Sequence, residues 1–249
     1  MHLRAMTYNI HSGFGEDGYD LRAIVRTIEH ERVDLVALQE VDFALWRTGY
    51  VNQAQWLGAQ LGMHAIMGGT RRQGRYGNAL LTRWSTTFVK NHNLTVWSHP
   101  GRACLEAHLT TPKGTLRCYV THLGLLPQER MVQVKRLTRE IIAADGGQEP
   151  MLLMGDFNTL SRSRVSHHLR RRFTDVFEAV GSGQSATFHA RMRGVRFDYI
   201  YTAGLTPITS HVAVTPWSAK GSDHLPLVAE FRTTFRVKRS MYERMENGQ

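Results

Sequence analysis

An α/β (α+β) fold with stacked β-sheets covered by helices is what the sequence predicts, and three observations carry the prediction. Short apolar runs of strand length recur along the whole chain. Several of them follow one another directly between Ala79 and Thr121. A few longer stretches with helical spacing stand between the others, the pattern expected when helices cover sheets. The 249 residues fit one large domain, and no break in composition argues for two.

Taken in order, Leu3 to Ile10 predicts a strand, Leu21 to Glu31 an amphipathic helix, and Val33 to Leu38 a buried strand. Asn52 to Leu61 is helical. Strands are expected at Ala79 to Thr82, Thr86 to Leu94, Ala103 to Leu109 and Leu116 to Thr121. The clearest helix spans Gln128 to Ala144, where Met131, Val134, Leu137, Ile141 and Ile142 recur at helical spacing before Gly146-Gly147. Further strands are expected at Met151 to Met154, Phe197 to Tyr201, Ile208 to Val214 and Leu227 to Phe231. Residues 1–232 then form the single folded domain, and 233–249 a charged, weakly patterned tail.

Composition narrows the class. Apolar residues make up 42%, enough for a substantial core. No window approaches the roughly 20 apolar residues that span a bilayer, and the chain enters a strand-like run at once, so a cytoplasmic, soluble protein is expected. Cys104 and Cys118 are the only cysteines; they lie in two runs joined by Thr111-Pro112-Lys113-Gly114 and are expected as reduced thiols. With 31 Lys plus Arg against 21 Asp plus Glu, the formal net charge is +10, which raises the local concentration of polyanions.

Polar residues stand where strands should end. They are Asn9; Glu40 after Leu35-Val36-Ala37-Leu38-Gln39; His122; Asp156 and Asn158 in Gly155-Asp156-Phe157-Asn158; Asp198; and Asp223 with His224. Singly, an Asn or Asp at a strand end usually caps a turn, and a lone His is usually a satisfied surface residue. Together, four acids, two Asn and two His supply the parts of a hard-cation phosphoryl site, because Mg²⁺ takes oxygen ligands and only one or two carboxylates.

Seven segments now resemble the endonuclease/exonuclease/phosphatase superfamily, in its order: Thr7-Tyr8-Asn9-Ile10, Leu38-Gln39-Glu40-Val41, Tyr76-Gly77-Asn78-Ala79-Leu80-Leu81-Thr82-Arg83, Thr121-His122-Leu123, Gly155-Asp156-Phe157-Asn158, Arg196-Phe197-Asp198-Tyr199-Ile200 and Ser222-Asp223-His224-Leu225-Pro226-Leu227. The resemblance implies a four-layer αββα sandwich of two mixed sheets flanked by helices. It also implies Mg²⁺, with Mn²⁺ as a substitute, held by Glu40 with Asn9 and Asp223 close by. Asp156 would orient or deprotonate the attacking water, and Asn158 would donate to a phosphate oxygen. His224 would face the scissile phosphate, held by Asp198. His122 would bind phosphate or protonate the leaving oxygen; Asn78 and Arg102 would reach the phosphate. Asp156 and the His224–Asp198 pair both stand as candidate general bases.

The chain departs from its relatives at His11, where apurinic endonucleases carry an acid. That weakens the case for a second metal and adds His11 to the candidate phosphate contacts. Arg71-Arg72-Gln73-Gly74-Arg75 and the cluster Arg162, Arg164, His167, His168 and Arg170-Arg171-Arg172 could track a nucleic-acid backbone or meet anionic lipid headgroups. Tyr76, Trp84, Trp97 and Trp217 offer stacking or lipid-facing surfaces, or core packing. The leading reading is a Mg²⁺-dependent phosphodiesterase, with nucleic acid ahead as substrate on charge. A hydrolase of phospholipids or small phosphate esters is the alternative within enzymes, and an inactive polyanion-binding module the alternative outside them.

Overall fold

The first strand sets the plan of the molecule. In β1 (His2–Asn9) the odd residues Leu3 and Ala5 enter one core while Met6 and Tyr8 enter another. That is the period-two alternation of a strand covered on both faces. The computed structural model describes residues 2–70, 74–97, 101–143, 149–188 and 194–232; the expected tail, Arg71, Arg72 and Gly146-Gly147 lie outside them.

The remaining strands are β2 (Phe14–Gly15), β3 (Gly18–Tyr19), β4 (Leu35–Asp42), β5 (His64–Gly69), β6 (Tyr76–Thr82), β7 (Ser85–Asn93), β8 (Ala103–Thr111), β9 (Gly114–His122), β10 (Met151–Asp156), β11 (Thr174–Asp175), β12 (Asp198–Ala203), β13 (Thr206–Val212) and β14 (Leu227–Arg232). Two six-stranded sheets result, ordered β13-β14-β1-β4-β6-β5 and β11-β12-β10-β9-β8-β7. Both are mixed: β1 runs parallel to β4 and antiparallel to β14, and β10 runs parallel to β9 and antiparallel to β12.

The sheets face one another across a core of residues such as Leu3, Leu35, Leu80, Leu105, Val120, Leu152, Ile200 and Phe231. Fully burying each such side chain contributes about 1.5–3 kcal/mol. On the outer face of the first sheet, α1 (Leu21–Glu31) and α2 (Gln53–Leu61) bury Ile24, Ile28 and Leu57 against Met6, Val36 and Leu81. Asp20 caps α1 by accepting from the Ala23 amide, and Asn52 caps α2 by accepting from that of Gln55.

On the outer face of the second sheet, α3 (Pro127–Arg136) and α4 (Arg164–Arg170) place Val134 and Leu169 against Tyr119, Leu153 and Tyr201. The stack of helices, sheet, sheet and helices is the four-layer arrangement expected. The short helices α5 (Val176–Val180) and α6 (Ser218–Gly221) close its edges.

The helix expected over Gln128 to Ala144 is α3 followed by a π-helical segment, Leu137–Ile142. Cys104 and Cys118 are buried free thiols on opposite faces of one sheet. In register Cys104 opposes Thr121 and Cys118 opposes Ala107, which holds the two apart. Among the described residues no helix is long and apolar enough to cross a membrane.

Candidate active site

The inner face of each central strand turns from apolar to polar at one end. In β1 the inward series Leu3, Ala5, Thr7 ends at Asn9; in β6, Leu80 is preceded by Asn78. In β9 the series Leu116, Cys118, Val120 ends at His122, and in β10 Leu152 and Met154 lead to Asp156. In β12, Ile200 is preceded by Asp198. Register aligns His122, Asp156 and Asp198 in one row across three adjacent strands. Residues read singly as strand ends therefore converge at one mouth of the sandwich.

Glu40 reaches this mouth by a different device. Strict alternation after Val36 and Leu38, which pack on the helix side, would send Glu40 there too. The pairing of β4 with β6 slips between Leu38 and Val41, and Glu40 adopts a φ of 56°. This bulge returns Val41 to the helix-side core and leaves Glu40 half-buried at the site. Its neighbours hold the bulge. Ser12 Oγ donates to the Glu40 carbonyl at 3.2 Å, and Arg47 closes on Asp42 through Nε at 2.7 Å.

Asn9 Nδ2 donates to Glu40 Oε1 on its own sheet at 3.1 Å and across to Asp156 Oδ2 on the other at 3.0 Å. The Asn9 Oδ1 accepts from the His11 amide at 3.1 Å. Asn78 Nδ2 also crosses between the sheets, to the carbonyls of Ala103 and Val120 at 3.0 and 3.3 Å. Asn158, at φ 47°, places its amide nitrogen 2.9 Å from His122 Nε2 and donates to the Leu123 carbonyl at 3.0 Å.

His224 comes from the loop before β14, yet its Nδ1 lies 2.8 Å from Asp198 Oδ2 on the other sheet. Its Nε2 is 3.8 Å from Asp156 Oδ2. Phe188 packs on the His224 ring, with centroids 4.9 Å apart. Thr187 Oγ1 accepts from the Asp198 amide at 3.2 Å. Ser222 Oγ donates to the Asn9 carbonyl at 2.6 Å and accepts from the His224 amide at 3.1 Å.

These surroundings set the protonation states. Burial and the nearby Asp198 raise the Asp156 pKa to about 7, against the lowering effects of His224, the Asn158 amide and Asn9. Burial acts to lower His224, but the charge and hydrogen bond of Asp198 outweigh it and hold the imidazole at about 10. His122 is pushed well down by burial, Arg102 and His224, so it is neutral. Its Nε2 lies 2.9 Å from Asn158 Nδ2 and 3.4 Å from Asp156 Oδ2, and its Nδ1 lies 4.0 Å from Glu40 Oε1.

The expected phosphate contacts differ in position. Arg102 is buried, its Nε has no hydrogen-bond partner among the described residues, and it lines a cleft with Glu40, Tyr76, Asn78 and His122. His11 stands outside, exposed at the rim, with Nδ1 3.1 Å from the Phe14 carbonyl and 3.4 Å from Asp223 Oδ1.

Two groups are available to a cation. Asp156, Asp198 and His224 are buried and offer ligand atoms within 4.8 Å of one another; there Asp198 Oδ2 is taken by His224 Nδ1, while Asp198 Oδ1 has no hydrogen-bond partner among the described residues. Glu40 and Asp223 are carboxylates open to solvent on one side, with Asn9 and His11 between them. That oxygen-rich, half-exposed set fits a hard divalent ion that keeps its waters.

Tyr76, named from the sequence as a stacking surface, is a wall of the cleft, its hydroxyl pushed up by burial and Glu40. Residue-type reasoning missed the supports. Ser12, Asp42, Arg47 and Gln53 brace the bulge, and Thr187 with Phe188 brace the Asp198–His224 pair. Only the Asp42 carboxylate two residues after Glu40 gave a signal. Trp84 packs on the inter-sheet core, Trp217 lies beside His30, and Trp97 is exposed. The Arg162-to-Arg172 cluster is not one surface: Arg162 lines a groove with Leu160, Phe177 and Arg196, Arg170 donates to the Ser161 carbonyl at 2.6 Å, and Arg172 donates to the Thr138 carbonyl on the π-helical segment.

The family model for the endonuclease/exonuclease/phosphatase family matches residues 6–224. The chain belongs to the endonuclease/exonuclease/phosphatase family. The uncharacterized protein YbhP of Escherichia coli (strain K12) is 27% identical over 251 residues, covering 92% of this chain and 95% of YbhP. A conserved protein of unknown function from Enterococcus faecalis V583 shares the fold at a TM-score of 0.79 and 22% identity, over 92% of this chain and 99% of that one. A mannosyl-6-phosphatase of Bacteroides thetaiotaomicron VPI-5482 superposes at 0.78 with 17% identity, over 93% of this chain and 100% of the other. Members of the endonuclease/exonuclease/phosphatase family are hydrolases of phosphoester bonds, and the cluster at the mouth of this sandwich is where such chemistry would sit.

Proposed function

We propose that the protein is a divalent-metal-dependent phosphodiesterase that cleaves its substrate by in-line attack of water. One observation carries the reading: Asp156, poised at about 7, and His224, held cationic at about 10, face each other across 3.8 Å. A base near neutrality and a fixed positive charge are what a water attack on a phosphate anion requires.

Asp156 takes the proton from the attacking water; His224, already protonated, cannot. The His224 cation and the buried Arg102 offset charge on the non-bridging oxygens. Neutral His122 orients the phosphate; for Asn158 or Asn78 to donate to it, each must release one of the acceptors that now hold both its amide hydrogens, His122 and the Leu123 carbonyl for Asn158, the Ala103 and Val120 carbonyls for Asn78. Mg²⁺, or Mn²⁺ in its place, would be held by Glu40 and Asp223 beside Asn9. When bound it neutralises phosphate charge and lowers the pKa of a water.

The net charge of +10 favours a polyanionic diester, and nucleic acid is the first substrate class to test. A phospholipid or other amphiphilic ester is favoured by a separate observation: Leu125, Leu126 and Leu160 stand exposed in loops beside the site. Aliphatic side chains offer a nucleotide base no ring to stack on.

Hydrolysis of bis-p-nitrophenyl phosphate and p-nitrophenyl phosphate, with Mg²⁺, Mn²⁺ or excess EDTA, tests the reading. Diester cleavage lost in EDTA is the expected result. Preference for the monoester would make the enzyme a phosphatase, the activity named for its B. thetaiotaomicron structural neighbour. Cleavage that persists in EDTA would remove the metal.

A further inference from the structure

Exposed apolar side chains are not scattered evenly over this molecule. Among the described residues, every large apolar side chain that is more than half exposed belongs to a loop at the catalytic mouth. Trp46 and Tyr50 follow β4, Trp97 precedes β8, Leu125 and Leu126 follow β9, and Leu160 follows β10. The seventh, Val214, lies in the loop that carries Asp223 and His224. Trp46 is the extreme, at 76% exposed.

Turns at the opposite end show what the sequence does where no such demand exists. They are built from Arg32 and Asp34, Arg83, Lys113 and Arg171, and the one tryptophan there, Trp84, is packed on the core. Isolated exposed apolar residues need no explanation, but a set gathered around one mouth from five separate chain segments marks an interaction surface.

The chemistry of the set selects its partner. Trp and Tyr favour the boundary between water and hydrocarbon, and Leu and Val tips gain by entering the hydrocarbon itself. Exposed Arg75, Arg162 and Arg164 stand in or next to the same mouth loops, where cations meet anionic headgroups. A polynucleotide would reward the aromatics and the arginines, but not Leu125, Leu126, Leu160 and Val214. We infer that the catalytic mouth is a membrane-docking surface, which seats the open end of the sandwich on an anionic lipid bilayer. The inference stands on the surface alone and does not depend on the phosphodiesterase reading.

Co-sedimentation with vesicles tests it, using equimolar phosphatidylglycerol and phosphatidylcholine beside phosphatidylcholine alone. The variants are a triple substitution, Trp46→Ser with Leu125→Ser and Leu126→Ser, and a control pair away from the mouth, Val89→Ser with Val132→Ser. The native chain is expected to pellet with the anionic vesicles. The triple variant is expected to lose at least tenfold in apparent affinity, and the control pair to keep it. Hydrolysis of soluble bis-p-nitrophenyl phosphate, read in parallel, should stay within twofold in both variants. Absence of that hydrolysis in the native chain would sink the enzymatic reading while leaving the vesicle result to be read. Failure of the native chain to pellet overturns the docking surface, as does equal loss in the control pair. So does a triple variant that binds vesicles normally but no longer binds a single-stranded oligonucleotide.

Discussion

Asp198 and His224 are joined by a 2.8 Å contact that ties one sheet of the sandwich to the other. The imidazole enters from the loop before β14, and the carboxylate opens β12. Because Asp198 engages Nδ1, the His224 Nε2 is the nitrogen turned towards Asp156. Asp198→Asn keeps the shape and removes the charge. Turnover should fall about 100-fold or more, the scale of a positioned acid–base group.

The same substitution has a signature in stability. His224 is raised to about 10 in the folded chain, so its contribution is complete below the unfolded histidine value and is lost as pH rises through about 10. In EDTA, the Tm gap between wild type and Asp198→Asn should therefore be wide near pH 6 and close above pH ~10, following that folded-state value. A gap that does not change with pH would mean that the pair is not charged.

Glu40 sits on a bulge at the edge of the cleft, outside the apolar clusters, with its carboxylate held by Asn9. Glu40→Gln should leave the Tm in EDTA within a few degrees of wild type and cut metal-dependent turnover by orders of magnitude. It should also abolish the rise in Tm that a ligand binding only the folded state must produce. Mg²⁺ titration followed by thermal unfolding reads this without substrate. An undiminished rise would place the cation elsewhere, with the buried Asp156, Asp198 and His224 as the next place to look.

Asp156→Asn should preserve substrate binding and slow chemistry. The carboxylate accepts from the Asn9 side chain and the Asn158 amide, and an amide in its place can keep one acceptor oxygen. A proton acceptor poised at about 7 is what disappears. The expected loss is about 100-fold or more in kcat with KM within a few-fold. Loss confined to KM would assign Asp156 to binding.

Much of this site was legible because strands end where polarity begins. Asn9, His122, Asp156 and Asp198 each follow or precede an apolar run at the inward phase, so alternation and position pointed the same way. Glu40 was named from its neighbours, yet no alternation could have aimed it; its direction comes from the bulge and the Ser12 and Asp42 contacts. The strand His64–Gly69 escaped because an edge strand with two glycines carries little apolar pattern. Helix α4 escaped because Arg164, His167, His168 and Arg170 hide the buried Val165 and Leu169. Arg47 became a site residue only through tertiary contact, which residue type does not announce.

Glu31, at the end of α1, is held below the ordinary carboxylate range by its hydrogen bond to His211, with burial opposing and His30 and Arg4 assisting. A lowered carboxylate stabilises the fold above its unfolded value and loses that contribution as pH falls through the folded one. Glu31→Gln should cost about 1 kcal/mol near pH 6. The difference should shrink as the solution is acidified below about pH 4. Urea unfolding at several pH values measures it, and a gap that widens in acid would reverse the assignment.

Gly155 is the tightest backbone approach beside the catalytic row. A Cβ there would lie 1.8 Å from the Thr121 carbonyl oxygen, and its φ is 152°. The neighbouring strand β9 carries His122 and cannot move without disturbing the row. Gly155→Ala should therefore cost about 3 kcal/mol or more, combining backbone strain with a clash in a buried ladder. Gly62 supplies the comparison: it caps α2 at φ 62° with nothing within 4 Å of its Cβ position. Gly62→Ala should cost only about 1–2 kcal/mol, the penalty of left-handed backbone alone. The excess at Gly155 then measures how closely β9 and β10 are pressed together behind Asp156. Equal losses in denaturant unfolding would show that the ladder yields and that glycine serves there for its φ only.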